Sequence, residues 1–209
     1  MTGYPLIDNE AVSVIVPVSS LIYAGNVFIN YMQQDLGKKE LILVHNNPSD
    51  DFERWIYLSG LYPLTRIYQL DYGTSLGECL NYCAERTIFE NIAIFREMHH
   101  YGQEYLSGSL GEMHLNSADL AGKKTYFSQC ENGSHQTLVT PGFEKCFTDM
   151  VILPTFIFKH AIYKNIRFKD SNSNLDTGFC EDCRGYGYRI YSTDTGGFRF
   201  CEKQYNNIT

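Results

Sequence analysis

At 209 residues the chain has the length of one domain and is too short for two full enzyme domains. Hydrophobic residues at 44% and charged residues at 20% suit a closed globular core and exclude disordered and fibrous classes. With 17 Lys and Arg against 24 Asp and Glu, the net charge of -7 has the wrong sign for coating a phosphate backbone or an anionic membrane.

In chain order, residues 1–10 hold Asp8 and Glu10 with no Lys or Arg, so they lack the basic and apolar parts of a secretory signal. No apolar run reaches the roughly 20 residues of a membrane span. Residues 12–16 form a β-branched run closed by Pro17, and 40–45 form another closed by Asn46-Asn47-Pro48; both predict buried strands. Between them, 24–36 carries Val27, Tyr31 and Gln34 on one helical face with Phe28, Met32 and Leu36 beside it, and stops at Gly37. Strand, helix, strand at this spacing is a parallel crossover. The rhythm continues with a helix over 50–59, a strand over 65–70, a helix over 75–88 and a strand over 92–95, which predicts an open α/β sheet in the N-terminal half.

After Phe95 the pattern changes. A helix is expected over 103–116, strands over 118–130 and 136–140 around the turn pair Asn132-Gly133, and a strand over 152–159. A helix over 176–185 and strands over 189–192 and 198–201 follow. The second half therefore reads as mixed or antiparallel, within a single domain whose N-terminal half, about 11–101, should hold a nucleotide at the strand C-termini.

Seven Cys is an odd number at irregular spacing and predicts reduced thiols in a cytoplasmic setting. The sequons Asn132-Gly133-Ser134 and Asn207-Ile208-Thr209 carry no meaning without a secretory route. Cys180-x-x-Cys183 and Cys79 with Cys83 have metal-ligand spacing, but both pairs fall on predicted helices where such spacing lines a core. His99-His100 with Glu97 and His114 is a further cluster of potential ligands. Gly73-Thr74-Ser75-Leu76-Gly77 matches the nucleophile elbow G-x-S-x-G, whose triad would need Asp149 and His160; the alternative is a Gly-rich turn that opens a helix.

Several ordered segments carry a resemblance. Val12-Ser13-Val14-Ile15-Val16-Pro17, Glu40-Leu41-Ile42-Leu43-Val44-His45-Asn46-Asn47, Ser75-Leu76-Gly77-Glu78-Cys79-Leu80-Asn81 and Asn91-Ile92-Ala93-Ile94-Phe95 resemble inverting family 2 glycosyltransferases of the GT-A fold. So do Phe156-Ile157-Phe158-Lys159-His160, Ile166-Arg167-Phe168, Leu175-Asp176-Thr177 and residues 188–194, and the whole is similar to small glycosyltransferase-like proteins of spore-forming bacilli. The resemblance runs from about Val12 to Phe200. It implies a UDP-sugar donor and an unknown acceptor, with Pro17, Val18, Asn47, Ser75, Gly77 and Asn81 around the uracil and ribose, Ser19 and Arg96 in the same nucleotide site, and Asp176 as general base in an acceptor-side half of about 102–209. Asp176 also suits the positive end of a helix without any catalytic part.

The same resemblance implies Mg²⁺ or Mn²⁺ held by D-x-D after the fourth strand, where this chain has Arg96-Glu97-Met98-His99. Met98 is too soft for a hard cation and Arg96 stands where the ion would sit. Arg96 or a protonated His99 would then neutralise the leaving diphosphate, or Glu97 and His99 would make a weaker metal site. Leu153-Pro154 replaces small residues beside the sugar, and Leu175 replaces the acid before the base. Two expectations follow: an atypical transferase, or an inactive homologue that binds a nucleotide, a sugar or a partner protein.

Overall fold

The structure, a computed structural model, describes residues 11–130 and 135–202, and of Cys130 only the backbone. The N-terminal stretch, the Asn132-Gly133 turn and both sequons lie outside the described residues.

Four strands open the chain: β1 (Ala11–Val18), β2 (Lys38–His45), β3 (Thr65–Gln69) and β4 (Asn91–Ile94). They are parallel, with β1 between β2 and β4 and with Val14 level with Leu41 and Ala93. β1 and β2 are buried almost throughout, as their unbroken apolar runs require of strands covered on both faces. The sheet continues through β10 (Ile157–Lys159), β6 (Leu120–Gly122), β11 (Ile190–Ser192) and β9 (Cys146–Phe147), in the order β3-β2-β1-β4-β10-β6-β11-β9. β10 is antiparallel to both β4 and β6, and β11 is parallel to β6. β1, β2, β3, β4, β6 and β11 therefore all end at one edge. A smaller sheet joins β5 (His100–Tyr101), β12 (Phe198–Glu202), β7 (Tyr126–Cys130) and β8 (Gln136–Val139).

Helices α1 (Ala24–Met32), α2 (Phe52–Ser59) and α4 (Tyr105–Leu115) cover one face of the large sheet, burying Phe28, Trp55 and Leu110 against Val14, Val16 and Leu43. α3 (Leu76–Ala84), α5 (His160–Tyr163) and α6 (Leu175–Gly185) cover the other with Leu80, Ile162 and Phe179 on Ile15, Ile42 and Ile94. The strand tips at the shared edge are thus flanked by the starts of α1, α2 and α3.

Several expected boundaries move, each for a tertiary reason. α1 ends at Met32 instead of Leu36, because Gln34 turns inward to donate to Tyr101 O at 3.3 Å and Gly102 O at 2.8 Å while accepting from Leu106 N. α3 ends at Ala84 instead of Ile88: Ile88 N donates to the buried Glu40 carboxylate and Phe89 N to Ser13 Oγ, which pulls that segment out of helix. Pro154 lacks an N–H, and 153–155 forms a 3₁₀ turn where a strand was expected. β5, β9 and α5 were not expected.

The elbow reading fails on position. Ser75 Oγ caps α3 by accepting from Glu78 N at 3.2 Å, whereas His160 follows the Lys159 that pairs with Asn91, at the opposite edge of the sheet. Asp149 pairs instead with Lys124 at 2.5 Å. No serine triad forms from these residues.

Candidate functional site

Three strand tips are tied together at the shared edge. Ser19, after β1, donates its N–H to Glu97 Oε2 at 2.8 Å and its Oγ–H to Glu97 Oε1 at 2.5 Å. Asn47, after β2, donates from Nδ2 to Ser19 O at 2.8 Å, and its own Oδ1 accepts from Ser49 N at 3.1 Å. The backbone that carries Glu97 is fixed from α1: Asn26 Nδ2 donates to Glu97 O at 2.7 Å and to His99 O at 2.9 Å, and Asn30 Nδ2 donates to His99 O at 2.8 Å. Tyr101 completes the clamp, its hydroxyl accepting from Arg96 N at 2.9 Å and donating to Pro154 O at 2.7 Å. Asp50 holds the loop after β2 to that after β1, accepting from Leu21 N at 3.1 Å and Trp55 Nε1 at 2.7 Å.

Arg96 leans toward α3. Burial lowers the pKa of its guanidinium, and Glu97, Tyr101 and Cys79 pull it back up, so the group stays a cation. Among the described residues that guanidinium makes no hydrogen bond or ion pair of its own.

His99 does not behave as expected. It is 4% exposed, lies against Phe200 with ring centroids 4.3 Å apart, and accepts from Cys201 N at Nδ1. Burial, with Arg96 and His100 adding like charge, drives its pKa down to about 3. It is neutral at physiological pH and supplies no positive charge to a phosphate.

The expected metal is tested by the donor set. Both Glu97 oxygens already accept from Ser19, the His99 nitrogen that faces the protein accepts from Cys201, Met98 offers a thioether, and Arg96 brings a positive charge. These residues do not fit Mg²⁺ or Mn²⁺, which prefer several free hard oxygens. Among the described residues no group of three or more His, Cys, Asp or Glu side chains is placed to hold a metal ion. Cys79, Cys180 and Cys183 are buried thiols whose pKa burial raises to about 11, about 12 and about 12. The four paired-spacing thiols, Cys79, Cys83, Cys180 and Cys183, are free and lie in the core.

The start of α3 is occupied by the chain itself. Leu76 N donates to Asn172 Oδ1 at 2.8 Å, Gly77 N to Ser171 O at 3.0 Å and Glu78 N to Ser75 Oγ. Asn81 holds the backbone of Phe168 in both directions, at 2.8 and 3.0 Å. The 168–172 segment packs so closely that a Cβ on Gly77 would lie 1.8 Å from Lys169 O. The same segment leads into α6 and sets Leu175 Cδ2 3.4 Å from that Gly77 Cβ position, with Asp176 next in the chain at the first turn of α6. Asp176 is half-buried, accepts from Thr177 N at 2.9 Å, and lies near enough to Tyr126 to help burial raise the phenol's pKa.

Ser19, Asn47, Arg96 and Glu97 are thus assembled at one edge, while Asp176 lies in the first turn of α6. Pro17 is half-buried and Val18 is buried within β1. Reading the sequence missed Asn26, Asn30 and Tyr101, which shape the β4 tip. It also missed Lys169, whose Nζ lies 3.4 Å from the position of a Gly178 Cβ on the first turns of α6. The run Ser171-Asn172-Ser173-Asn174 carried a signal, since such residues cap helices.

No family model matches the chain, and no curated protein matches it in sequence. Solved structures do. Residues 1–349 of TarS from S. aureus in complex with UDP-GlcNAc superpose with a TM-score of 0.72 at 17% identity, over 93% of this chain and 59% of that one. The fold is GT-A. The complex of the same TarS fragment with UDP gives 0.71 at 18% identity, over 93% and 61%. The mannosyltransferase PcManGT from Pyrobaculum calidifontis, in complex with GDP-Man and Mn²⁺, gives 0.74 at 11%, over 93% and 58%. The chain spans about three-fifths of the length of these solved chains. No helix among the described residues is long and apolar enough to cross a membrane.

Proposed function

We propose that this chain is a glycosyltransferase-like protein that takes a UDP-sugar at the edge formed by the tips of β1, β2 and β4 and transfers the sugar without a resident divalent ion. The observation that carries the reading is the Arg96 guanidinium, without a partner among the described residues, beside the convergent tips of parallel strands, the place where open α/β sheets bind ligands. Pro17 and Val18 with Asn47 line the nucleoside end, and Ser19 at the β1 tip borders it. Ser75, Gly77 and Asn81 shape the opposite wall, Ser75 by capping α3 through Glu78, Gly77 and Asn81 by holding the 168–172 segment. Arg96 meets the diphosphate as a fixed cation with several donors, stabilising charge on the leaving group.

Asp176 is the general base. Its half-buried carboxylate at the first turn of α6 suits removal of a proton from an acceptor hydroxyl as that oxygen attacks the anomeric carbon. The solved neighbours hold UDP-GlcNAc, UDP and GDP-Man, which supports a nucleotide-sugar as donor. Free cysteines support a reducing, cytoplasmic setting.

One observation favours a second reading, an inactive homologue that binds nucleotide, sugar or a partner protein: the D-x-D position holds no free carboxylate. Calorimetric titration with UDP and UDP-sugars, followed by a turnover assay, separates the two. Binding with turnover that disappears in Asp176→Asn at unchanged UDP affinity supports the transferase. Binding without turnover supports the second reading, and no affinity for any uridine nucleotide at millimolar concentration refutes the transferase and the nucleotide-binding form of the second reading.

A further inference from the structure

We propose that the Glu97 carboxylate is an intramolecular competitor for the ligand donors of Ser19, so that a nucleoside diphosphate enters the crevice only by displacing it. The inference rests on the crevice reading above and names what controls access to that same site.

Ser19 is exposed, yet both of its donors are spent on one carboxylate, its N–H on Oε2 at 2.8 Å and its Oγ–H on Oε1 at 2.5 Å. An anion with two acceptor oxygens held by a backbone N–H and a hydroxyl is also how protein donors hold a phosphate. Glu97 thus supplies from within the chain the chemistry that a ligand phosphate would bring. Its backbone is fixed, because Asn26 holds Glu97 O and Asn26 with Asn30 holds His99 O. Only the Glu97 side chain is left to swing, and it does not need to unfold anything to do so.

The charge argument points the same way. Arg96 and Glu97 are adjacent and of opposite sign, and neighbouring His99 is neutral in its aromatic pocket. While Glu97 stays in place, an incoming diphosphate meets a negative charge at the donors that ought to hold it, and the attraction of Arg96 is offset. Rotation of Glu97 toward solvent removes that charge and frees both donors of Ser19 in one movement. The β1 tip would then hold a phosphate oxygen in place of the carboxylate, while Asn47 continues to fix Ser19 O at 2.8 Å.

The test is calorimetry on the full chain with UDP and with uridine, for the wild type, Glu97→Gln and Glu97→Ala. Glu97→Ala should bind UDP at least tenfold more tightly, about 1.4 kcal/mol. Glu97→Gln, which keeps an acceptor for Ser19 but drops the charge, should fall between. Thermal midpoints close to the wild type would show that all three fold. Adding Ser19→Ala should shrink the gain of Glu97→Ala, because competition acts through the Ser19 donors, whereas a long-range charge effect would ignore that change. If the wild type binds UDP and both Glu97 variants bind it equally or more weakly, the competitor role is overturned while the crevice stands. If none of the three binds UDP, and uridine does not bind either, the crevice itself is refuted.

Discussion

Gly77→Ala tests whether α3 and the 168–172 segment act as one joint. The new methyl would sit 1.8 Å from Lys169 O and 2.9 Å from its carbonyl carbon, both backbone atoms that cannot swing aside. Relief needs a separation of roughly 1.5 Å between helix and segment, since nonbonded carbon contacts settle near 3.5 Å. That movement breaks Gly77 N to Ser171 O at 3.0 Å and Leu76 N to Asn172 Oδ1 at 2.8 Å. At about 1 kcal/mol for each hydrogen bond and about 2–3 kcal/mol for overpacking, less about 1 kcal/mol of helix propensity gained over Gly, the net loss is about 3–4 kcal/mol. For a chain of this size that is about 10 °C in Tm. The assay is urea denaturation followed by circular dichroism, with Gly108→Ala as control: Gly108 is in α4 with nothing within 4 Å of its Cβ position, and its change should stabilise by up to about 1 kcal/mol. A Gly77→Ala protein within 1 kcal/mol of wild type would refute the joint.

Three further outcomes are expected. UDP affinity should be indifferent to EDTA and should drop on Arg96→Ala and with added salt, while Arg96→Asp combined with Met98→Asp should make it cation-dependent; calorimetry with and without Mn²⁺ decides, and a tenfold loss in EDTA for the wild type would refute the reading. His99 is held neutral with a pKa of about 3 against 6.5 when unfolded, so the unfolded chain takes the proton first and stability falls as pH drops below 6.5, by about 2 kcal/mol at pH 5; denaturation midpoints between pH 7.5 and 5 should show a shallower slope in His99→Gln. Cys146 should be alkylated before Cys79, Cys83, Cys180 and Cys183 in the native protein, since those four are buried thiols with raised pKa; mass spectrometry that found Cys83 modified before Cys146 would contradict the packing.

The parallel half was legible because its signals are local. Runs such as Val12-Ser13-Val14-Ile15-Val16 are apolar on both faces, and the caps Asp51 and Ser75 stand one residue before the helices they start. The rest depends on partners remote in the chain. β5 and β9 are two-residue strands that exist only through β12 and β11. His99 reads as a metal ligand until Phe198 and Phe200, a hundred positions later, close over it. Gly77 reads as a turn glycine, yet it is needed for the close approach of Lys169, 92 positions on, and no periodicity reports such a contact. Ser19 and Glu97, 78 residues apart, each read as a ligand group; neither residue type shows that they bond to one another.

A divalent ion and a guanidinium ask different things of a site. The ion needs two or more hard oxygens that are free, close and negatively charged, and it is then recruited from solvent. The guanidinium needs only room and a direction, because its charge arrives with the chain. At the end of β4 the first requirement is unmet and the second is met: the Glu97 carboxylate has turned to Ser19, His99 is sealed among aromatics, and the Arg96 cation has no committed partner among the described residues. Arg96 supplies attraction that a chelator cannot remove. It also supplies less of it than a divalent ion would, one charge opposed by an adjacent carboxylate. Binding in this crevice should therefore be governed by the position of Glu97, and any transfer by Asp176 waits on the same side chain.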